Sequence, residues 1–147
     1  MAEEMEEVEE DLNPFTARVI GFVSDSGELI ETKPDTAMQA FNLLINVGTE
    51  NEVEVGERVL VFGLGPEISD PDDNATLGHF EIVRGTGKVT STQIRMAVVR
   101  SSQTMTVRYQ KPQTIQATIA GISADYGERQ EPAPFKGVRL GDYVRFV

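Results

Sequence analysis

The sequence predicts an all-β protein, a small β-barrel or sandwich of the SH3-like or swapped-hairpin type with a possible second small β-unit at its C-terminus. The first observation is VEVGERVLVFGLG at residues 53–65, where apolar and polar residues alternate around Gly56. Such a pattern is typical of a tight turn that enters a half-buried strand. The second observation is a weaker copy, VRLGDYVRFV, at residues 138–147. Both stretches favour a barrel or sandwich of short strands.

The two copies share an apolar residue, a turn glycine, an acid and then a strand. Gly141 matches Gly56, and Asp142 matches Glu57. A glycine followed by an acid suits a backbone position of positive φ, where the carboxylate can accept bonds from nearby N–H groups. Two interpretations stay open at this point: a good strand-entry sequence used twice, or a duplicated unit.

The composition bounds the function classes. The chain has 147 residues, 39% of them hydrophobic and 25% charged, which predicts one ordinary globular domain. No apolar run is long enough for a transmembrane helix, and the acidic first residues do not resemble a signal peptide. We therefore expect a cytoplasmic protein, or one incorporated into a larger assembly, with no membrane partner.

Side-chain chemistry argues against an enzyme. There is no cysteine, so disulfides, thiolate metal sites and cysteine nucleophiles are excluded. His79 is the only histidine, and it lies in a predicted strand where a structural role is the simpler interpretation. No cofactor is expected.

Charge is distributed unevenly along the chain. The net charge is −11, but residues 1–83 carry three basic and twenty acidic side chains, whereas residues 84–147 carry ten basic and four acidic ones. This asymmetry predicts either a polar head-to-tail contact between copies or a basic face for an anionic partner. Alternatively, the two halves interleave in one fold and their charges mix over its surface.

Three segments are predicted. Residues 1–13 form a flexible acidic tail, which serves solubility or docks on a basic surface such as that of a neighbouring copy. Residues 14–111 form the β-barrel domain. Residues 112–147 supply C-terminal strands that complete the barrel or form a second β-unit.

Hydrophobic alternation and turn residues place the strands. Strands are predicted at 15–23, 28–32, 41–47, 59–68, 76–83, 89–100, 104–110, 114–122 and within 135–147. A helical turn is predicted within 33–40, a turn at 84–88, and a polar loop at 123–134.

The loop 69–75 contains a candidate calcium site. Asp70, Asp72 and Asn74 occupy the first, third and fifth positions of a twelve-residue calcium loop, and Glu81 occupies the twelfth. The match is incomplete, because Ala75 replaces the glycine at position six and strands flank the loop. The alternative is a hairpin loop whose carboxylates bond its own backbone. A hydrolase that uses these carboxylates is a third possibility.

A basic group in the second half is the candidate partner-binding surface. It has one aromatic member, Tyr109, whereas a single-strand nucleic-acid platform interleaves several aromatics with cations. The pattern therefore predicts a protein-binding or a solvated mixed-charge face, and makes nucleic acid a poor candidate. The cations are Arg84, Lys88, Arg95, Arg100, Arg108 and Lys111.

One resemblance to a known family covers about residues 15–101. The stretches INVGTENEVEVGERVLVFGLG, EISDP and LGHFEIVRGTGKV resemble the small β-barrel that forms the C-terminal domain of flagellar assembly protein T and related bacterial proteins. The resemblance implies a non-catalytic barrel that helps to build or bind a larger assembly.

Together these observations predict a non-enzymatic structural or assembly module. We expect it to self-associate as a homo-oligomer or to bind a protein partner, in an assembly of the flagellar or the phage and virion type. The alternative is a barrel that binds nucleic acid or another polyanion through its basic second half.

Overall fold

The computed structural model describes residues 17–111, 115, 121 and 126–147, and within them the protein is all-β, as predicted. The strands of the described residues are β1 (Ala17–Val23), β2 (Leu29–Ile30), β3 (Met38–Ala40), β4 (Asn42–Ile45), β5 (Arg58–Ser69), β6 (Thr76–Thr92), β7 (Ala97–Ser101), β8 (Thr104–Gln110), β9 (Tyr126–Pro132), β10 (Phe135–Val138) and β11 (Tyr143–Phe146). One 3₁₀ turn, Thr49–Asn51, precedes β5.

Seven strands form the main sheet in the order β11-β5-β6-β7-β4-β1-β2, and β11 also pairs with β1. This extra pairing converts six of the strands into a ring-like sheet. The closing contact is short, since it consists of Ala17 opposite Val144 and Arg18 opposite Tyr143. The strand β10 pairs with β3, and β8 pairs with β9, in two separate two-stranded sheets.

The core lies inside the ring. Alternate residues of each ring strand point inward, as the period of a strand requires. The largest completely buried side chains are Phe22, Phe135, Leu43, Ile45, Val19, Val59, Val61, Val89, Val99, Val138 and Val144. Burying this apolar surface is the main favourable term that holds the ring together.

The two copies of the sequence motif form the same turn. Gly56 has φ of 97° and Gly141 has φ of 91°, the positive value that the third residue of a type II turn needs. In each turn the acid that follows accepts a hydrogen bond from the N–H three residues earlier, at 3.0 Å for Glu57 and 2.9 Å for Asp142. The positive φ and the carboxylate cap predicted for both copies are confirmed.

The ring has an internal two-fold relation that exchanges β1 with β6, β4 with β7, and β5 with β11. In the β5–β11 pair, Val59 lies opposite Phe146. Under the two-fold relation Val59 corresponds to Val144 and Phe146 corresponds to Val61. The structure contains the resulting pair, since Val144 lies opposite Val61. The β1–β4 and β6–β7 pairs carry a register irregularity at the equivalent place. The ring therefore consists of two equivalent three-stranded units, in agreement with the duplicated-unit interpretation.

Two hairpins extend beyond the ring. Among the described residues, the far parts of β5 and β6, from Gly63 to the loop and back to Val83, pair only with each other. We call this part arm A. The strands β8 and β9 pair with each other and with no other described strand, and they form arm B. Among the described residues, neither arm has an equivalent under the internal two-fold relation.

Several sequence predictions of local structure were wrong. No helical turn forms at 33–40: Met38–Ala40 is a strand, because it pairs with β10. The predicted turn at 84–88 is instead a bulge within the long strand β6. The predicted strand 89–100 is two strands joined by a tight turn, and the predicted polar loop 123–134 contains β9.

The predicted strand 76–83 begins where β6 begins, but β6 continues nine residues further, to Thr92. The remaining strand predictions within the described residues are confirmed within a few positions at their ends, and the predicted loop 69–75 lies between β5 and β6, at 70–75. The last strand, β11, belongs to the ring itself. The acidic tail 1–13 lies outside the described residues, and so does the predicted strand 114–122 except for Ile115 and Gly121.

Replacing either turn glycine by alanine should destabilise the ring. A Cβ at Gly56 or Gly141 forces a side-chain residue into the left-handed region, so each change should lower the free energy of unfolding by about 1–2 kcal/mol. Urea denaturation measures this. Gly21→Ala is the control, because the nearest atoms to its added Cβ are at 3.6 Å. Equal losses in all three variants would contradict the account.

Candidate functional site

Arm A exposes an unusual amount of apolar surface. Six of its apolar side chains are between 36% and 64% exposed, although strand residues of this type are normally buried. These are Leu64, Ile68, Leu77, Phe80, Ile82 and Val83. Exposed apolar surface is a feature of interaction sites where the side chains lie on one face.

Pairing register divides part of this surface between the two faces of arm A. Ile68 lies opposite Gly78, and Ile82 lies opposite Gly63, so Ile68, Phe80 and Ile82 share one face. We call it the apolar face of arm A. On the other face, Leu64 lies opposite Glu81, whose carboxylate is engaged at the base of the arm.

An arginine fork fastens arm A to β11. The guanidinium of Arg145 donates two hydrogen bonds to the carboxylate of Glu81, at 2.9 and 3.1 Å. The same guanidinium lies 5.0 Å from the centre of the Phe62 ring, and Phe62 stacks on Tyr143 at 5.8 Å. Bidentate pairs of this geometry fix orientation as well as contributing energy.

A second ion pair fastens the base of arm A to the C-terminal turn. The Nε of Arg84, the bulged residue of β6, donates to Asp142 at 3.1 Å. Both side chains are nearly buried, with 16% and 10% of their surfaces exposed. A Cβ at Gly63 would lie 2.6 Å from the guanidinium of Arg84, so a larger residue there would displace the guanidinium from its present position.

These two pairs hold the base of arm A in a fixed direction. The arm therefore presents its apolar face without first having to be ordered. Because ordering a mobile segment is a large part of the cost of association, a fixed arm binds a partner more tightly than a mobile one with the same contacts.

The loop at the tip of arm A contains the candidate calcium ligands. Asp70 accepts the N–H of Asp72 at 2.9 Å, and Asp73 accepts the N–H of Ala75 at 3.0 Å. Asn74 has a positive φ of 59°. These carboxylates bond the backbone of their own loop, which is the hairpin-loop alternative. Within the described ranges no group of three acidic or histidine side chains could hold a metal ion.

The structure does not gather the predicted basic group into one patch. Arg84 binds Asp142, as above. Arg95 lies 3.4 Å from Glu50, in an exposed pair at the β6–β7 turn. Arg100 lies 3.0 Å from Asp25. Three of the six predicted cations therefore form ion pairs with carboxylates of the described residues.

The remaining three predicted cations lie apart. Arg108 belongs to arm B, where its guanidinium lies 4.5 Å from the centre of the Tyr126 ring. Lys111 directly follows β8. Lys88 lies on β6 between Arg58 of β5 and Arg100 of β7, each directly opposite it. The sheet thus aligns three cations in a row across neighbouring strands.

Sequence reasoning missed Arg58, which lies in the acidic half of the chain. The alternation of apolar and polar residues in 53–61 predicts that the Arg58 side chain points outward. Only the pairing register of β5 with β6 shows that Arg58 lies opposite Lys88. Like charges directly opposite each other are unfavourable in a sheet. We call Arg58, Lys88 and Arg100 the basic row.

Asp25 neutralises one end of the basic row. Its carboxylate accepts hydrogen bonds from Arg100 at 3.0 Å and from the amide of Asn42 at 2.9 Å. The bond from Arg100, followed by that from Asn42, lowers the pKa of Asp25 below its ordinary value.

Arm B has a more polar surface than arm A. The guanidinium of Arg129 lies 5.1 Å from the centre of the Tyr109 ring, and Arg129 also binds Glu131 at 2.7 Å. A cleft of about 340 Å³ separates the bases of the two arms, between Val83 and Met105. The cations of arm B are thus covered by aromatic and acidic neighbours of the same arm.

The sequence matches no protein-family model and no curated protein. Among residues 17–111, 115, 121 and 126–147, the structure contains no helix that is long and apolar enough to cross a membrane.

Removing the buried ion pair at the base of arm A should destabilise the protein. Arg84→Gln leaves the carboxylate of Asp142 without its charged partner, so we expect a loss of about 1–3 kcal/mol in the free energy of unfolding. The control is Arg95→Gln, which removes an exposed pair and should change stability by less than about 1 kcal/mol. Urea denaturation compares them. A smaller loss for Arg84→Gln than for the control would contradict this role.

The pKa of Asp25 should depend on Arg100. Because the folded pKa is lowered, this carboxylate contributes stability above its unfolded pKa, and the contribution is lost as pH falls through the folded value. A carboxyl-detected NMR titration should place the Asp25 pKa below its ordinary value. Arg100→Gln should raise it, whereas Arg95→Gln should not. An unchanged titration in Arg100→Gln would show that the contact is absent in solution.

Proposed function

We propose that this protein is a non-enzymatic assembly module that self-associates, with arm A as the main contact. One observation carries the proposal: an apolar hairpin extends beyond the ring while two arginine–carboxylate pairs fix its base. The resemblance to the C-terminal domain of flagellar assembly protein T supports the same class of function. A cytoplasmic setting, or a flagellar-type or phage and virion-type assembly, is part of this proposal.

The proposed occupant of the apolar face of arm A is a second copy of the chain. Ile68, Phe80 and Ile82 are exposed together, and an identical face on another copy matches them in chemistry and in size. The arm also has backbone edges that pair with no third strand of the described residues beyond Gly63. Free edges next to apolar side chains are templates for pairing between chains.

Charge supports association between copies. The acidic and basic halves of the sequence interleave in the ring, because β4 pairs with β7 and β5 with β6, so the attraction between two copies acts between local groups of opposite charge. Such attraction sets the rate and orientation of association, while apolar contacts at the centre of an interface supply most of its affinity.

The side chains also favour a non-catalytic role. His79, the only imidazole, lies with Nδ1 at 3.0 Å from the carbonyl oxygen of Gly65 and is thereby tied to the arm itself. Asp70 and Asp73 of the tip loop accept hydrogen bonds from backbone N–H groups of the same loop. Groups engaged in this way hold the shape of arm A.

Binding of a polyanion is the second candidate, because the basic row presents two cations with no ion-pair partner among the described residues, Arg58 and Lys88. Affinity for nucleic acid that falls steeply with salt would favour this candidate. Self-association that persists at physiological salt would favour the assembly module.

Substitutions on the apolar face of arm A should weaken self-association. In the double variant Ile68→Ser with Phe80→Ser, the dissociation constant should rise at least about tenfold, since two anchor residues are each worth about 1 kcal/mol or more. Light scattering coupled to size-exclusion chromatography, run over a range of concentrations, measures it.

The control is the double variant Val55→Ser with Ile94→Ser. These side chains are 63% and 69% exposed and lie outside arm A. The control should keep the molar mass of the unmodified chain. A monomer at every concentration in the unmodified protein, or equal effects of both double variants, would refute the proposal.

A further inference from the structure

We propose that the cleft beside Arg58 and Lys88 binds the acidic N-terminal segment, residues 3–11, of the same chain. The ligand chemistry is a run of carboxylates. The proposal is independent of the self-association described above, because it concerns a different surface of the ring.

The strand register creates a charge conflict that an anion would relieve. Arg58 on β5 and Lys88 on β6 are directly opposite, so their side chains leave the same face of the sheet. Both residues are exposed, and among the described residues no carboxylate forms an ion pair with either. On the other side of Lys88 lies Arg100, which already has Asp25 as its partner.

The internal two-fold relation provides a comparison within the same molecule. The position equivalent to Arg58 is Tyr143, and the position equivalent to Lys88 is Arg18. There the guanidinium of Arg18 lies 4.8 Å from the centre of the Tyr143 ring and donates to the carbonyl oxygen of Gly141 at 2.9 and 3.0 Å. One unit therefore satisfies its cation internally, whereas the other places two cations together without a partner.

The two cations border a cleft large enough for a peptide side chain. The cleft has a volume of about 400 Å³ and is lined in part by Thr86, Ser102 and Val147. The N–H of Val147 donates to the carbonyl oxygen of Arg58 at 3.1 Å, so β11 runs along one side of the cleft. Hydroxyl groups and cations together suit a carboxylate, which accepts several hydrogen bonds.

The described part of the chain begins at Ala17, on the side of the ring that leads to the cleft. Ala17, the first residue of β1, lies opposite Val144, and the antiparallel strand β11 continues from there to the cleft. Two strand spacings and three residues separate Ala17 from Arg58, a distance of about 14 Å. Glu10 is seven residues before Ala17, and seven residues can span about 23 Å. The segment is therefore long enough to reach the cleft in its own chain.

The segment also has the right charge. Residues 1–13 contain seven acids and no base. They are Glu3, Glu4, Glu6, Glu7, Glu9, Glu10 and Asp11. Pairing any of these acids with Arg58 and Lys88 reduces the repulsion between neighbouring acids, and it also reduces the repulsion between the two cations.

A spin label tests the contact in the full-length chain. Because the chain contains no cysteine, Glu7→Cys provides a single attachment point. We expect paramagnetic broadening of the backbone amide signals of Arg58, Thr86 and Lys88 at low salt. The broadening should weaken at about 1 M salt, where charges are screened within about 3 Å. A mixed sample separates contacts within one chain from contacts between chains. It combines spin-labelled chain at natural isotope abundance with nitrogen-15 chain that carries no spin label. If the contact is within one chain, the nitrogen-15 signals should show no broadening.

Matched variants assign the effect to the two cations. Arg58→Gln with Lys88→Gln should abolish the broadening. Lys33→Gln with Arg139→Gln, which removes two exposed cations elsewhere, should leave it unchanged. Broadening that persists without Arg58 and Lys88, that appears in the mixed sample, or that is absent from the unmodified chain would each overturn the proposal.

Discussion

Asp142 is the residue on which the connection between ring and arm depends. Its carboxylate accepts the N–H of Arg139 at 2.9 Å and the Nε of Arg84 at 3.1 Å, while its carbonyl oxygen accepts the N–H of Val19 at 2.7 Å. One buried residue thus caps the turn before β11, joins that turn to β1, and holds arm A. Because the carboxylate is largely removed from solvent, its charge would be costly to bury without these hydrogen-bond and ion-pair partners.

The equivalent residue in the other unit, Glu57, has only part of this role. It caps its own turn, and its carbonyl oxygen accepts the N–H of Val89 at 2.9 Å, as the two-fold relation requires. No arginine meets its carboxylate within the described part of the chain. Among the described residues, the two units are therefore alike where they build the ring, and they differ at the basic row and at the arginine that binds Asp142. Residues that differ between the two units are not required to close the ring, so they are the candidates for other roles.

The sequence was informative wherever local chemistry decides the structure. The repeated turn could be read from its glycine and acid, because few residues other than glycine adopt positive φ at low cost. The strand β9 was missed because both of its faces are largely exposed, so Tyr126–Pro132 lacks apolar alternation. The strand β3 was missed because its pairing partner, β10, is distant in sequence.

For the candidate site, the sequence showed the acidic loop and most of the basic residues but not their neighbours. The pattern of apolar and polar residues in 64–83 would be the same for a hairpin within the ring and for one that extends beyond it. The exposure of Phe80 could therefore not be predicted from the sequence. The opposition of Arg58 and Lys88 depends on register across residues thirty positions apart. Such information comes from tertiary pairing alone.

The central claim is that arm A mediates self-association, and amide hydrogen exchange at low and high protein concentration tests it most directly. Exchange reports protection residue by residue, so it locates the contact as well as detecting it. The account predicts that protection rises with concentration along residues 64–83 and stays constant in the ring strands. Concentration-dependent protection elsewhere, with residues 64–83 unchanged, would contradict it.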